Sequence, residues 1–350
     1  MRVVVVGATG NVGTSVVRAL EADSAVTSIV GVARRIPGWQ ADRTEWRQAD
    51  VATDDLAQIF DGADAVVHLA WLFQPTRQAT VTWRTNVLGS MRVFRAVAAA
   101  GVSNLVYASS VGAYAPGPKD RAVDESWPTH GWPGAAYGRE KAYVERLLDL
   151  FERDQPGIRV VRMRPGFIFK REAATEQRRL FGGPFVPRRL VWPGRIPFVP
   201  DLPRLRLQAL HADDSAEAYH LALMRPVTGA FNLAAEPVLD SAALARLLGA
   251  RTVPVAAWLA RSIMATGWHL RLLPAAPGLL ELLLQVPIMN VDRARDVLGW
   301  TPRHSADDAV RELVEGVHDG AGMDTAPLAP DGLAGRLKEV ATGVGGGHGR

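Results

Sequence analysis

A tyrosine and a lysine four residues apart, Tyr137 and Lys141, open a stretch whose residues Tyr143, Val144, Leu147, Leu148 and Phe151 recur at helical spacing. On a helix that spacing sets the phenol and the ammonium on one face. A phenol with a pKa of about 10 is a poor base at neutral pH. A cation beside it favours the phenolate and draws the group toward useful acid–base range. Ser110, just past the apolar run Asn104–Ala108, offers a hydroxyl that can donate a hydrogen bond to a substrate oxygen where charge develops. A Tyr/Lys pair at this spacing is also an ordinary feature of amphipathic helices, so the pair needs company before it means catalysis.

The company stands at the start of the chain. Four valines, Val3 to Val6, read as a strand buried on both faces, and an amphipathic stretch with Val12, Val16, Val17 and Leu20 begins at Asn11. Between them Gly7, Gly10 and Gly13 form a G-x-x-G-x-x-G loop that also holds Thr9, Asn11 and Val12. A glycine loop after a first strand and opening a helix aims backbone N–H groups at a pyrophosphate with no Cβ in the way. The second strand, Ser28–Ala33, ends where a dinucleotide fold meets the adenosine ribose. A carboxylate there would bond the 2′-hydroxyl, but this chain has Ala33 followed by Arg34 and Arg35. With no acid to repel it and guanidiniums to pair with it, a 2′-phosphate is favoured, which points to NADP(H) over NAD(H). Asp50-Val51, closing an expected third strand, places a carboxylate within reach of an adenine amino group.

Further elements continue the alternation. A helix is expected over Asp54–Phe60, a strand over Ala63–Ala70, a long helix from Thr80 to Ala100 carrying Asn86, and strands at Asn104–Ala108 and Ile158–Met163. Short connections between alternating strands and helices predict an α/β fold with a Rossmann-type, doubly wound parallel sheet. Six prolines between Pro184 and Pro203 exclude a central strand or a continuous helix there. We therefore expect residues 1–165 to form an NAD(P)-binding Rossmann domain. Residues 166–318 should form mainly a smaller, loop-rich C-terminal substrate lobe, with some returns to the core. Helical patterns resume at Ser215–Met224, Ser241–Leu248, Val255–Thr266 and Asp307–Val317. Residues 319–350 are rich in Gly, Ala and Pro and are expected to be partly disordered, with at most a weak helix near Leu333–Ala341.

The 350 residues suffice for a sizeable core, and the apolar share of 48% with 22% charged is that of a soluble globular protein. No cysteine is present, so disulfides and thiolate metal sites are excluded; no metal site is expected. With a strand beginning at residue 2 there is no room for a signal peptide, and a cytoplasmic location is expected. The apolar stretch Leu272–Val291 is broken by Pro274, Pro277 and Pro287 and carries Glu281, which argues against a membrane span. Net charge is +4, but residues 170–206 hold nine Lys/Arg against three acids, so the basicity is local. That speaks against a nucleic-acid-binding domain and leaves either an anionic small ligand or a solvated loop.

Together these features resemble the extended branch of the short-chain dehydrogenase/reductase superfamily, the NAD-dependent epimerase/dehydratase family, from Arg2 to about Val317. Its marks here are the glycine loop, Asp50-Val51, His68-Leu-Ala-Trp71, Thr85-Asn-Val-Leu-Gly89 and Tyr107-Ala-Ser-Ser-Val-Gly-Ala-Tyr114. Tyr137-x-x-x-Lys141, Arg164-Pro165, His211-Ala-Asp-Asp214 and Leu298-Gly-Trp300 complete the set. The resemblance implies that Tyr137 is the general acid/base and that Lys141 holds the nicotinamide ribose and tunes the phenol. It makes Ser110, four residues before Tyr114, the catalytic hydroxyl rather than Ser109. Hydride would pass between nicotinamide C4 and a secondary alcohol or ketone carbon, with backbone at Leu69, Ala70 and Pro165 lining the cofactor. It also implies a homodimer through the helices bearing Asn86 and Tyr137.

Two departures bear on the substrate. Trp71 replaces a usually small residue beside the cofactor. Gly-Phe-Ile-Phe-Lys-Arg follows Arg164-Pro165 where sugar-nucleotide members continue with Asn and then Gly-Pro. The leading reading is an NADP(H)-preferring alcohol dehydrogenase or ketoreductase for a partly apolar small molecule. Trp192, Trp258, Trp268, Leu270, Leu272 and Leu273 could line its pocket or simply pack the core. The alternatives are a nucleotide-sugar epimerase or dehydratase, with the arginines of 178–206 on a diphosphate, and a non-catalytic NADP-sensing protein.

Overall fold

The valines of the first strand explain the architecture. In β1 (Arg2–Val6) every valine is buried, and alternate residues enter different cores: Val3 and Val5 pack on one side, Val4 and Val6 on the other. A strand buried on both faces needs layers above and below it, and β1 sits in the middle of the sheet. The computed structural model describes residues 1–345. Its seven-stranded sheet contains β1, β2 (Ser28–Ala33), β3 (Thr44–Gln48), β4 (Ala65–His68), β5 (Asn104–Ala108), β6 (Arg159–Pro165) and β7 (Gly229–Leu233). The order is β7-β6-β5-β4-β1-β2-β3 and every pair is parallel. The winding reverses between β1 and β4, which opens a crevice at their C-terminal ends.

Helix α1 (Asn11–Ala22) follows β1 and packs on one face of the sheet, and α2 (Ala136–Asp154) covers the other. The long helix expected near 80–100 runs as Ala79–Trp83, a π turn over Arg84–Leu88, and Gly89–Ala99. Within residues 166–318, α3 (Ala212–Met224) packs against α1, and β7 closes one edge of the sheet. The proline-rich stretch provides only a short 3-10 turn, Arg188–Leu190, and a strand, Phe198–Asp201, paired outside the main sheet with Arg251–Pro254.

Beyond it stand α4 (Ala257–His269), α5 (Pro277–Gln285) and α6 (Ala306–Asp319). Helix α5 lies within the apolar stretch that prolines interrupt. Pro277 sits in its first turn, where no N–H is needed. Two other boundaries differ from expectation. The third strand stops at Gln48, which leaves Asp50 and Val51 in the turn after it, and the helix expected over Asp54–Phe60 begins only at Ala57. Residues 319–345 lie against the body rather than loose from it. Leu328 is fully buried, a helix forms over Leu333–Ala341, and the Gly345 carbonyl accepts from Thr76 N–H at 3.0 Å. Residues 346–350 of the expected disordered end lie outside the described residues.

Candidate active site

The crevice is built by contacts that exclude side chains. Gly7 has φ +88°, and a Cβ there would lie 2.7 Å from Ala70 N; one on Gly13 would lie 2.2 Å from the Gly7 carbonyl. Gly10 is different. A Cβ there would meet nothing nearer than the Gly7 oxygen at 3.6 Å, so its open side faces the space a pyrophosphate would use. No side chain caps α1, which leaves the N–H groups of its first turn available to an anion. Asn11 donates Nδ2–H to the Ile168 carbonyl at 3.0 Å, and its buried Oδ1 has no partner among the described residues. Arg34 and Arg35 are exposed just past β2, and among the described residues neither has a carboxylate partner. Asp50 Oδ1 accepts from Ala52 N–H at 2.9 Å, and Val51 is buried against Gly89. Leu69 and Ala70 continue from β4, and Pro165 ends β6. These residues fit a dinucleotide laid across the crevice.

The three expected catalytic residues converge. Ser110 caps the 3-10 turn Val111–Ala113, its Oγ accepting from Gly112 N–H at 3.0 Å, so its own O–H is free to donate. Gly112 lies under the Tyr137 ring, where a Cβ would come within 2.6 Å. Burial pushes the Tyr137 phenol up to about 12, opposed by a hydrogen bond with Ser110. Lys141 is buried too, and burial drives it down from 10.5 to about 7 against the pull of Glu145 and Glu140. Its Nζ donates to the Ala108 carbonyl at 2.6 Å, lies 3.6 Å from the Trp71 ring centroid and 5.9 Å from that of Tyr137. The expected lowering of the phenol by the ammonium is therefore not met in this state. The cation spends its field on a carbonyl and an indole face, and burial dominates both groups.

Beyond Trp71 and Asn86, sequence reasoning missed what surrounds them. Phe73 stacks on Tyr137 at 4.9 Å and 11°, Trp71 meets it edge-on at 5.7 Å, and Phe181 meets Phe73 edge-on at 5.9 Å. Trp71 Nε1 is buried without a partner among the described residues. Asn86, at the π turn, holds this roof in place: it accepts from Leu72 N–H at 2.7 Å, and its Nδ2 donates to the Leu72 carbonyl (2.9 Å) and to Glu140 (2.6 Å). Thr82 also donates to Glu140, at 2.6 Å. Below the site Glu145 is fully buried and accepts from Ser109, Arg162 and Arg164, which hold its carboxyl down at about 2 against the opposing effect of burial. One signal was available for Glu145: Tyr137, Lys141 and Glu145 repeat every four residues on one helix face.

The basic segment is largely committed elsewhere. Arg178 pairs with Glu339 at 2.7 Å, Arg179 donates to the Pro327 carbonyl, and Arg204 donates to the carbonyls of Leu284 and Gly117. Lys119, buried and driven down to about 7 chiefly by burial, donates to the carbonyls of Arg206 and Leu283 at the C-terminal end of α5, where cations are favoured. Among the described residues, His211, His304 and Glu312 bring ligand atoms within 4.8 Å of one another. Each already has a partner: His211 Nε2 faces Glu312 at 3.1 Å and His304 Nδ1 faces Asp214 at 3.1 Å. Among the described residues no helix is long and apolar enough to cross a membrane.

Fold and site together define a dinucleotide-fold protein of the class that carries a serine, tyrosine and lysine beside its nucleotide crevice. The chain belongs to the NAD dependent epimerase/dehydratase family, whose model matches residues 3–234. It is 24% identical over 326 residues to an uncharacterised protein of Mycobacterium tuberculosis, covering 92% of this chain and 31% of that protein. The chain thus spans about a third of that relative's length. It is also 30% identical to the 3-diazoavenalumate denitrifying reductase of a Streptomyces species, covering 87% of this chain and 97% of that one. Among solved structures, the UDP-glucose 4-epimerase of Thermus thermophilus in complex with NAD superposes with a TM-score of 0.66 at 20% identity, over 91% and 99% of the two chains. That likeness shows the fold.

Proposed function

We propose that this protein is an NADP(H)-preferring oxidoreductase that interconverts a secondary alcohol and a ketone on a partly apolar small molecule. The convergence of Ser110, Tyr137 and Lys141 under an aromatic roof, beside an uncapped helix N-terminus, carries this reading. When bound, the nicotinamide supplies or accepts the hydride. In the reducing direction Tyr137 Oη gives its proton to the carbonyl oxygen while Ser110 O–H donates a hydrogen bond to the same oxygen. In this reading Lys141 would bond the nicotinamide ribose, as the family resemblance implies. Phe73 and Trp71 favour a flat or apolar group next to Tyr137 and exclude water from it. Arg34 and Arg35, without carboxylate partners among the described residues, suit a 2′-phosphate. The reading is preferred to a nucleotide-sugar epimerase because Arg178, Arg179 and Arg204 already satisfy internal partners and are not available to clamp a diphosphate.

The test is NADPH consumption across a panel of apolar ketones, with thermal shifts against UDP- and dTDP-sugars alongside. We expect turnover with at least one ketone, and a loss of about 100-fold or more in kcat for Tyr137→Phe with NADPH binding retained. A large shift with a nucleotide sugar and no ketone turnover would overturn the reading. For the cofactor, Arg34→Ala should weaken NADPH about tenfold while leaving NADH nearly unchanged, and equal effects on the two would refute the preference.

A further inference from the structure

Helix α4 is amphipathic the wrong way round. Its exposed positions include Trp258, Leu259, Ser262, Ile263, Thr266 and His269, one helical face that Leu270 extends. Trp258 is 70% exposed, Ile263 60% and Leu270 64%. The face turned to the body carries Ala257, Ala260, Ala265 and Gly267 together with Met264 and Trp268. Ala257 and Ala260 pack toward a core of Leu202, Leu205 and Leu284, and a Cβ on Gly267 would strike Leu273 at 2.8 Å. No residue of α4 is fully buried. Trp268 alone of its large rings is engaged with the body, whereas Trp258, Leu259 and Ile263 stand outward and form the most coherent apolar face of the helix.

Charge says what that face meets. From Ser241 to Leu280 there is no Asp or Glu, while Arg246, Arg251, Arg261 and Arg271 all fall in this stretch. Arg261 is paired with Glu281 of α5. Arg246, Arg251 and Arg271 have no carboxylate partner among the described residues; Arg251, on the strand ahead of the helix, and Arg271, just past its end, are exposed. Outward tryptophan, isoleucine and leucine, with Arg246, Arg251 and Arg271 unpaired by carboxylates among the described residues, is the pattern of a helix lying in the headgroup layer of an anionic bilayer. A protein partner with an acidic groove would need matching pockets, but the side chains here stand on a convex helix.

Position adds a reason for the surface to be there. Trp268 Nε1 donates to Thr76 Oγ1 at 3.1 Å, and the Arg77 guanidinium lies 4.6 Å from the Trp268 ring centroid. Thr76 and Arg77 end the same loop that carries Trp71 and Phe73 over Tyr137. On the other side, Glu281 of α5 accepts from Trp132 Nε1 at 3.1 Å, just ahead of the first turn of α2. Helix α4 is thus joined on both sides to the segments that cover Tyr137.

We propose that the outward face of α4 is a docking surface for an anionic lipid bilayer, set beside the covered active site. The absence of a spanning helix among the described residues is consistent with such peripheral contact. That the bilayer also delivers an apolar ketone rests on the proposed function, whereas the docking itself does not. The test is therefore made without turnover. The full chain is sedimented with vesicles of phosphatidylcholine containing about one third phosphatidylglycerol, and with phosphatidylcholine alone.

Co-sedimentation is expected with the anionic vesicles, weakening as salt is raised. Trp258→Ser with Ile263→Ser should lower vesicle affinity by about tenfold or more, with the melting temperature and NADPH binding of the wild type. Arg251→Glu with Arg271→Glu should abolish the preference for anionic lipid. Wild-type protein that stays in the supernatant, or serine variants that bind as well as wild type, would overturn the proposal. So would a self-association, seen by light scattering, that the serine variants dissolve, since the face would then be a contact between two copies. If docking is found and no ketone is turned over, the proposed function fails while the docking stands.

Discussion

At the scale of single residues, the site is governed by burial more than by its charges. The pair Tyr137/Lys141 and the hydroxyl of Ser110 were legible in the sequence because their spacing is local and helix geometry does the rest. Their proton affinities were not legible, because they depend on what covers them. Lys141 lies beneath Trp71 and beside Tyr107, side chains from different strands and loops. Its folded pKa of about 7 lies below its ordinary 10.5. Below pH 7 both folded and unfolded chains hold the proton, and the cost of burying the ammonium is fully present. Between about 7 and 10.5 the unfolded chain binds more protons, so this contribution to stability improves as pH rises. Lys141→Met should therefore stabilise the fold by on the order of a few kcal/mol at about pH 6, less the lost bond to the Ala108 carbonyl. The gain should shrink toward about pH 10. Ketone turnover should be lost at every pH. Denaturant melts of the two proteins at several pH values give the comparison, and a gain that grows with pH would refute the assignment.

At the scale of elements, the alternation of the sheet was readable from valine runs and glycine turns, and most strands stand within a few residues of expectation. What escaped was carried by long-range contact. The π turn at Arg84–Leu88 cannot be read from periodicity, yet it turns Asn86 toward Leu72 and Glu140. Asn86→Ala strands the Leu72 amide and carbonyl and removes one donor from a buried carboxylate. A loss of about 1–3 kcal/mol is expected in thermal or denaturant melts. Because the change also loosens Phe73 over Tyr137, KM for an apolar ketone should rise several-fold while NADPH affinity stays near wild type.

The C-terminal stretch carries the helix expected over Leu333–Ala341, but its composition says nothing of how it is bonded to the body. It is poor in hydrophobic pattern but rich in specific bonds: Thr325 Oγ1 donates to the Thr9 carbonyl at 2.9 Å and Trp39 N–H to the Asp324 carbonyl at 3.0 Å. Arg336 pairs with Asp331, and Arg77 donates to the Val344 carbonyl. These bonds tie the glycine loop, the turn after β2 and the roof loop to one strap along the crevice. Ending the chain after Asp319 should speed NADPH release by about tenfold or more, as followed by nucleotide fluorescence. An unchanged release rate would show that the strap does not guard the crevice.

At the scale of the whole molecule, a second exposed apolar surface lies far from α4 in sequence and calls for a different occupant. Val81, Trp83 and Leu88 on the helical run 79–99, and Tyr143 and Leu150 on α2, are all exposed. Trp83 and Tyr143 touch across the two helices with ring centroids 4.8 Å apart, so the residues form one patch on two neighbouring helices. The rings are braced from behind. Glu140, one turn before Tyr143, is bonded to Thr82 and Asn86, which fixes the angle at which the two helices present their outer faces. A rigid apolar patch across two neighbouring helices is self-complementary when a second copy is rotated by a half turn, giving four helices in contact. Beside Leu150, Asp149 and Glu152 are already paired with Arg146 and Arg162, so the flank of this patch is held by ion pairs. The expected assembly is a homodimer at about 10 μM, measured by sedimentation or multi-angle light scattering. Trp83→Glu with Tyr143→Glu should give a monomer. Since both helices frame the site through Asn86 and Tyr137, that monomer should melt several degrees lower and turn over ketone more slowly than the dimer. The serine changes at Trp258 and Ile263 should leave the dimer intact. A wild-type protein that sediments as a monomer across the micromolar range would remove the dimer and leave this patch without the partner proposed for it.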